Sequence, residues 1–110
     1  MGLFRRNKNI KKPVIRQIID LVPRWMIESC AKKHKSDKGC SKYKTYDHFV
    51  ALTYGQLNKC YTLNDISTGI GVSETFINDL GLNQSPARST MSDGNKKRDW
   101  RVFESLYYRV

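Results

Sequence analysis

The sequence predicts a compact all-α bundle of six or seven helices, and three features carry that expectation. Apolar residues recur at helical spacing in segment after segment and never alternate over the length of a strand. Helix-start residues (Thr45, Thr62, Ser73, Ser85, Asp99) and stop residues (Pro23, Gly81) punctuate these segments. The chain has 110 residues, 39% of them hydrophobic and 11% aromatic, which is enough for one core and too little for two. The organisation expected is a loose basic arm over residues 1–12, made of Lys, Arg and Asn, and a single helical domain over 13–110.

Val14, Ile15, Ile18, Ile19 and Val22 predict the first helix over 14–22. Pro23 disfavours helix at Val22 and suits the first turn of the next helix, 24–34, whose apolar set is Trp25, Met26, Ile27, Cys30 and Ala31. Residues 35–44 read as a basic loop. Thr45 is expected to cap a broad, central helix reaching about residue 59, with Asp47 favourable in its first turn. Tyr46, Phe49, Val50, Leu52, Tyr54 and Leu57 are its apolar residues. Thr62 and Asp65 form a capping-box-like start for a short helix ending near Gly69. Ser73 caps another, which Gly81 stops. Ser85-Pro86 opens a helix to about Lys97. Asp99 caps the last helix, with Trp100, Phe103, Leu106, Tyr107 and Val110 as its inward face. That helix runs to the final residue without a stop signal, as expected of a chain that continues into a further domain.

The charge is unevenly placed. Twenty Lys and Arg oppose ten Asp and Glu, a net charge of +10. Residues 1–44 hold 13 basic and 3 acidic residues, and 45–110 hold seven of each, so the whole surplus lies in the first two-fifths. Such a field attracts a polyanion. Nothing resembles a membrane span or a signal peptide, so a soluble, intracellular (cytoplasmic) protein with no membrane partner is expected. Cys30, Cys40 and Cys60, with His34 and His48, match no standard zinc spacing and read as structural thiols and surface imidazoles. The acids are scattered without a paired-carboxylate or triad pattern. No enzymatic activity, metal or cofactor is expected.

Residues 65–80 have the register of a helix-turn-helix, with Ser67 allowing close helix approach, Gly71 at the turn and Ile66, Ile70, Val72, Ile77 and Leu80 as shared core. Its second helix exposes Glu74, Asn78 and Asp79 and has no cation between 73 and 80, so phosphate would repel it. The following helix suits DNA better. Its apolar stripe is only Ala87, Met91 and Gly94, and the rest is polar or basic. Arg88, Ser89, Ser92 and Asn95 are the expected base contacts. Lys11, Lys12, Arg16, Lys32, Lys33, Lys42, Lys44, Thr90, Lys96, Lys97 and Arg98 are the expected phosphate contacts.

Arg88 to Phe103 resembles the "RSTLSDAN-KRDWR-F" block in the N-terminal domain of transposases of the bacterial insertion-sequence-four group, which precedes their DDE catalytic core. Gln17 to Pro23 is similar to that family's "Q-L-L-D-F-L-P". Tyr46 to Leu52 with Gly55-Gln56-Leu57 is similar to its "W-D-Q-F-L-x-M" and "G-Q-L". Two positions depart: Asp79 stands where the family usually has His, and Gly94 where it has Ala. A glycine there costs about 1 kcal/mol of helix propensity and is expected to mark a kink or an early helix end. The resemblance implies a nucleoid-associated accessory domain that recognises terminal inverted repeats in double-stranded DNA, without catalytic residues of its own. Its implied protein partner is the transposase catalytic domain, and the apolar last helix adds a second copy, as a homodimer. A protein-interaction module for dimerisation or for docking on that catalytic core is the alternative.

Overall fold

The computed structural model describes residues 14–40 and 42–109. They form seven helices, with no strand among the described residues: α1 (Val14–Ile19), α2 (Arg24–Lys33), α3 (Thr45–Leu57), α4 (Leu63–Ile70), α5 (Glu74–Asp79), α6 (Arg88–Lys97) and α7 (Arg101–Arg109). α3 is the hub. It packs against α1, α2 and α4, while α7 closes over α2 and α6 lies against α4. The core runs from Ile27 and Cys30 of α2, through Val50 and Ala51 of α3 and Ile66 and Ile70 of α4, to Met91 of α6 and Val102 of α7.

Local chemistry sets the helix ends. The hydroxyls of Thr62 and Ser73 accept the backbone N–H groups of Asp65 and Phe76, both at 3.1 Å, as their N-cap positions require. After α5, Gly81 adopts φ +78°. Its N–H reaches the Asn78 carbonyl at 2.9 Å and that of Leu82 reaches Ile77 at 3.1 Å, which is a Schellman closure. α2 closes in the same way, with Lys35 in the left-handed position at φ 53°; after α3, Lys59 takes φ 52° and the Cys60 N–H reaches the Gly55 carbonyl at 3.0 Å.

Two expected caps differ, and a third holds. Thr45 is not the cap of α3 but its first residue, and it is buried. Its N–H and hydroxyl both donate to Asp37 Oδ1, at 2.6 and 2.8 Å, and Asp47 instead accepts the Lys44 N–H at 3.0 Å. Ser85 does not cap α6, which begins at Arg88 after Ala87. Its hydroxyl donates to the Ser67 carbonyl at 2.8 Å, tying the approach to α6 onto α4. Asp99 caps α7 through the N–H of Arg101, at 3.0 Å.

The inward faces shift as well. Ile27, Cys30 and Ala31 form the buried stripe of α2, which leaves Trp25 on the opposite side, 60% exposed. In α7 the buried pair is Val102 and Leu106, so Trp100 and Tyr107 face outward. Val72 is 74% exposed and leaves the expected α4–α5 core to Ile66, Ile70 and Leu80, with Ile77 half-buried. No helix among the described residues is long and apolar enough to cross a membrane.

Candidate nucleic-acid interface

A cleft of about 700 Å³ opens between the 34–43 segment and one edge of α6. Thr90, Asp93, Gly94 and Lys97 form its helical wall, spaced so that they share one side of α6. Lys35, Lys38 and Lys42 form the facing wall. These three lysines and Lys97 have no ion pair among the described residues. Of the two acids on the cleft, Asp99 is held by Arg101 at 2.9 Å, and those hydrogen bonds keep its carboxyl below the usual range.

The loop wall is braced from below. Asp37 fastens it to the start of α3 through Thr45, and the Ser36 and Thr45 hydroxyls lie 2.6 Å apart. Arg98, just past α6, reaches in underneath with its side chain only 4% exposed. Its Nη2 donates to the Tyr43 carbonyl at 2.7 Å and lies 3.6 Å from Asp37 Oδ1, and its Nη1 donates to His48 Nδ1 at 3.1 Å. His48 in turn bonds Asn95 Oδ1 through Nε2, at 2.8 Å. Burial lowers the His48 pKa to about 4, so the imidazole is neutral at physiological pH. Burial also pushes the Tyr43 phenol and, despite its bond from Lys44, the Asp47 carboxyl upward. Tyr43 lies with its ring edge against Gly94, where a Cβ would come within 2.6 Å of it. Gly94 does not end the helix: α6 continues through it to Lys97.

The residues expected to meet phosphate are thus divided. Lys42, Thr90, Lys97 and Arg98 line the cleft together. Arg98, however, is withdrawn from the phosphate set, because its guanidinium is buried and bonded within the protein. Arg16 is withdrawn too: it lies on α1, donates to the Tyr46 hydroxyl at 2.9 Å and pairs with Asp20 at 3.0 Å. Lys32 borders a shallow hollow beside the loop with Lys35 and Lys38. Lys33, Lys44 and Lys96 are exposed outside the cleft. Lys11 and Lys12 lie outside the described residues. Sequence reasoning assigned no role to Lys35 and Lys38. Their signal was the regular lysine spacing of the basic loop.

The expected base-contact residues occupy the other edge of α6. At about 100° per residue, Arg88, Ser92 and Asn95 flank the buried Met91 on the side away from the cleft, with Ser89 further out. Arg88, Ser89 and Asn95 are exposed and Ser92 is half-buried. His34 bonds Ser105 Oγ at 2.7 Å, and no group of three or more metal-ligating side chains gathers among the described residues.

The chain matches no curated protein and no solved structure. One family model, described as a domain of unknown function (DUF4372), matches residues 10–83, which takes in α1 to α5 and the loop wall of the cleft but not α6 or α7. With more than half of its length matched, the chain belongs to the DUF4372 family.

Proposed function

We propose that this domain is a sequence-specific, non-catalytic DNA-binding part of a transposase, which recognises terminal inverted repeats in duplex DNA. One observation carries the reading: Lys35, Lys38, Lys42 and Lys97, from two segments far apart in sequence, converge on a single cleft with no ion pair among the described residues. On the cleft these four lysines face one carboxylate not held by an arginine, Asp93, so their mutual repulsion outweighs its attraction and a polyanion relieves it. The edge of α6 beyond the cleft offers Arg88, Ser89, Ser92 and Asn95 at spacings suited to base edges. In this reading α6, rather than the second helix of the helix-turn-helix register, enters the major groove. The DUF4372 family is commonly associated with transposases, and the 88–103 block resembles theirs.

Fluorescence anisotropy on labelled duplexes over a salt series tests the reading. Affinity is expected to fall steeply with salt. Replacing Lys38 and Lys97 together by Gln should lower the slope of log K against log salt by about 2, close to one per phosphate contact removed. Binding to no duplex, or binding indifferent to salt, would falsify the proposal. A second reading, a module for dimerisation or for docking on a catalytic core, draws on the exposed aromatics Trp25, Trp100, Tyr107 and Tyr108. A stable dimer that forms without DNA, seen by light scattering, would favour it.

A further inference from the structure

We infer that Asn95 is held as a hydrogen-bond donor, its amide fixed NH₂-outward by Arg98 and His48. The group it meets on the duplex is then an acceptor (a purine N7, a guanine or thymine carbonyl, or a phosphate oxygen) and not an exocyclic amino group. The inference rests on the DNA-binding reading above and adds the polarity of one contact.

The orientation follows from donor and acceptor counting. Arginine has no acceptor, so the 3.1 Å contact from Arg98 Nη1 requires a bare lone pair on His48 Nδ1. A neutral imidazole with Nδ1 bare carries its proton on Nε2. That N–H points at Asn95 from 2.8 Å, and only the amide oxygen can accept it. The oxygen is therefore turned toward buried His48, and the Nδ2 group is the outward pole of an exposed residue. The hydroxyls of Ser89 and Ser92 can donate or accept and Arg88 only donates, so on this edge of α6 the only strong acceptor, the amide oxygen, is the group turned inward. Asparagine usually reads adenine by accepting from N6 while donating to N7. Here the oxygen that would accept from N6 gives one lone pair to His48 and is turned toward the protein, away from a duplex.

The experiment has two arms on the full chain. In the first, nitrogen-15 spectra of the free protein report the imidazole tautomer. His48 is expected with its proton on Nε2 and Nδ1 bare across neutral pH. A proton on Nδ1, or on both nitrogens, overturns the inference. In the second, a duplex selected from a random pool is rebuilt with one group deleted at a time, and each version is titrated with the parent and with Asn95→Ala. Deleting one acceptor, by 7-deazapurine, 2-aminopurine or pyrimidinone at a base or methylphosphonate at a phosphate, should weaken the parent about three- to tenfold, as loss of one hydrogen bond does, and leave Asn95→Ala unchanged. The base analogues and the methylphosphonate tell the two acceptor sources apart. Coupling of Asn95 to an adenine or cytosine amino group, or to nothing while the duplex still binds, overturns the donor assignment alone. If no duplex binds at all, the DNA reading falls and the proposed ligand with it.

Discussion

Replacing Arg98 by Met separates a structural arginine from a DNA contact. The side chain is 4% exposed and its guanidinium serves the Tyr43 carbonyl, His48 Nδ1 and the Asp37 carboxylate, with a weaker contact to Cys40 Sγ at 3.5 Å. Methionine fills much of the same volume but leaves the first two without their donor. Each buried acceptor so orphaned costs about 1–3 kcal/mol. Loss of the charge partner adds less than for a fully buried pair, because Asp37 is 28% exposed and keeps both bonds from Thr45. The expected loss is about 2–4 kcal/mol. In a domain of this size each kcal/mol shifts the melting temperature by roughly 4–8 °C. Urea unfolding followed by circular dichroism reads the loss directly, with Arg88→Met as the matched control on the exposed edge of α6, expected within about 0.5 kcal/mol of the parent. If Arg98→Met unfolds at the same urea midpoint as the parent, the structural role assigned to Arg98 is wrong.

Four further outcomes are expected. Because the His48 pKa is depressed to about 4, the unfolded chain binds the extra proton between about pH 6.5 and 4. Its contribution is full above the unfolded value and is lost as pH falls through the folded one, on the order of 3 kcal/mol; in urea midpoints over that window the fall should be shallower for His48→Gln, and equal slopes would refute the burial argument. Gly94→Ala gains about 1 kcal/mol of helix propensity but drives a Cβ to 2.6 Å from the Tyr43 ring, so a net loss of about 1 kcal/mol is expected, turning to a gain in a Tyr43→Leu background. Lys59→Gly should stabilise by about 0.5–1 kcal/mol in the same assay, since φ 52° suits glycine and the lysine has no ion pair among the described residues. Arg88→Ala should relax base preference in selection from a random pool and Asn78→Ala should not; the reverse would hand recognition to α5.

Helix existence was legible because each helix carries its own punctuation. Thr62, Ser73, Gly81 and Asp99 act locally, through bonds spanning two to five residues, so sequence neighbours are enough to find them. The misread positions are those whose partners are remote. Thr45 has a capping side chain, but Asp37 claims its hydroxyl from eight residues away, and Ser85 is claimed by Ser67 from eighteen. Trp25 and Tyr107 were expected inside on hydrophobicity alone. Which side of an amphipathic helix turns inward is decided by what packs against it, and α2 and α7 pack on each other through smaller residues at the centre of their stripes.

The candidate site shows the same division at higher stakes. A polar helix with one apolar stripe has two possible destinations for its polar residues, solvent or a buried network, and composition does not distinguish them. Lys97 and Arg98 are adjacent cations at the end of one helix, yet a single step of about 100° takes one to the cleft wall and the other beneath its floor. The difference lies in residues that α6 does not contain: Asp37, Tyr43 and His48 together offer three acceptors at one point, and only a branched, permanently charged donor can meet them all. A lysine at position 98 would serve one or two of them. The arginine therefore braces the loop that carries Lys35, Lys38 and Lys42, and through His48 it also sets the amide of Asn95. One buried cation organises both edges of α6, so a substitution there would disturb the proposed phosphate-facing and base-facing edges together.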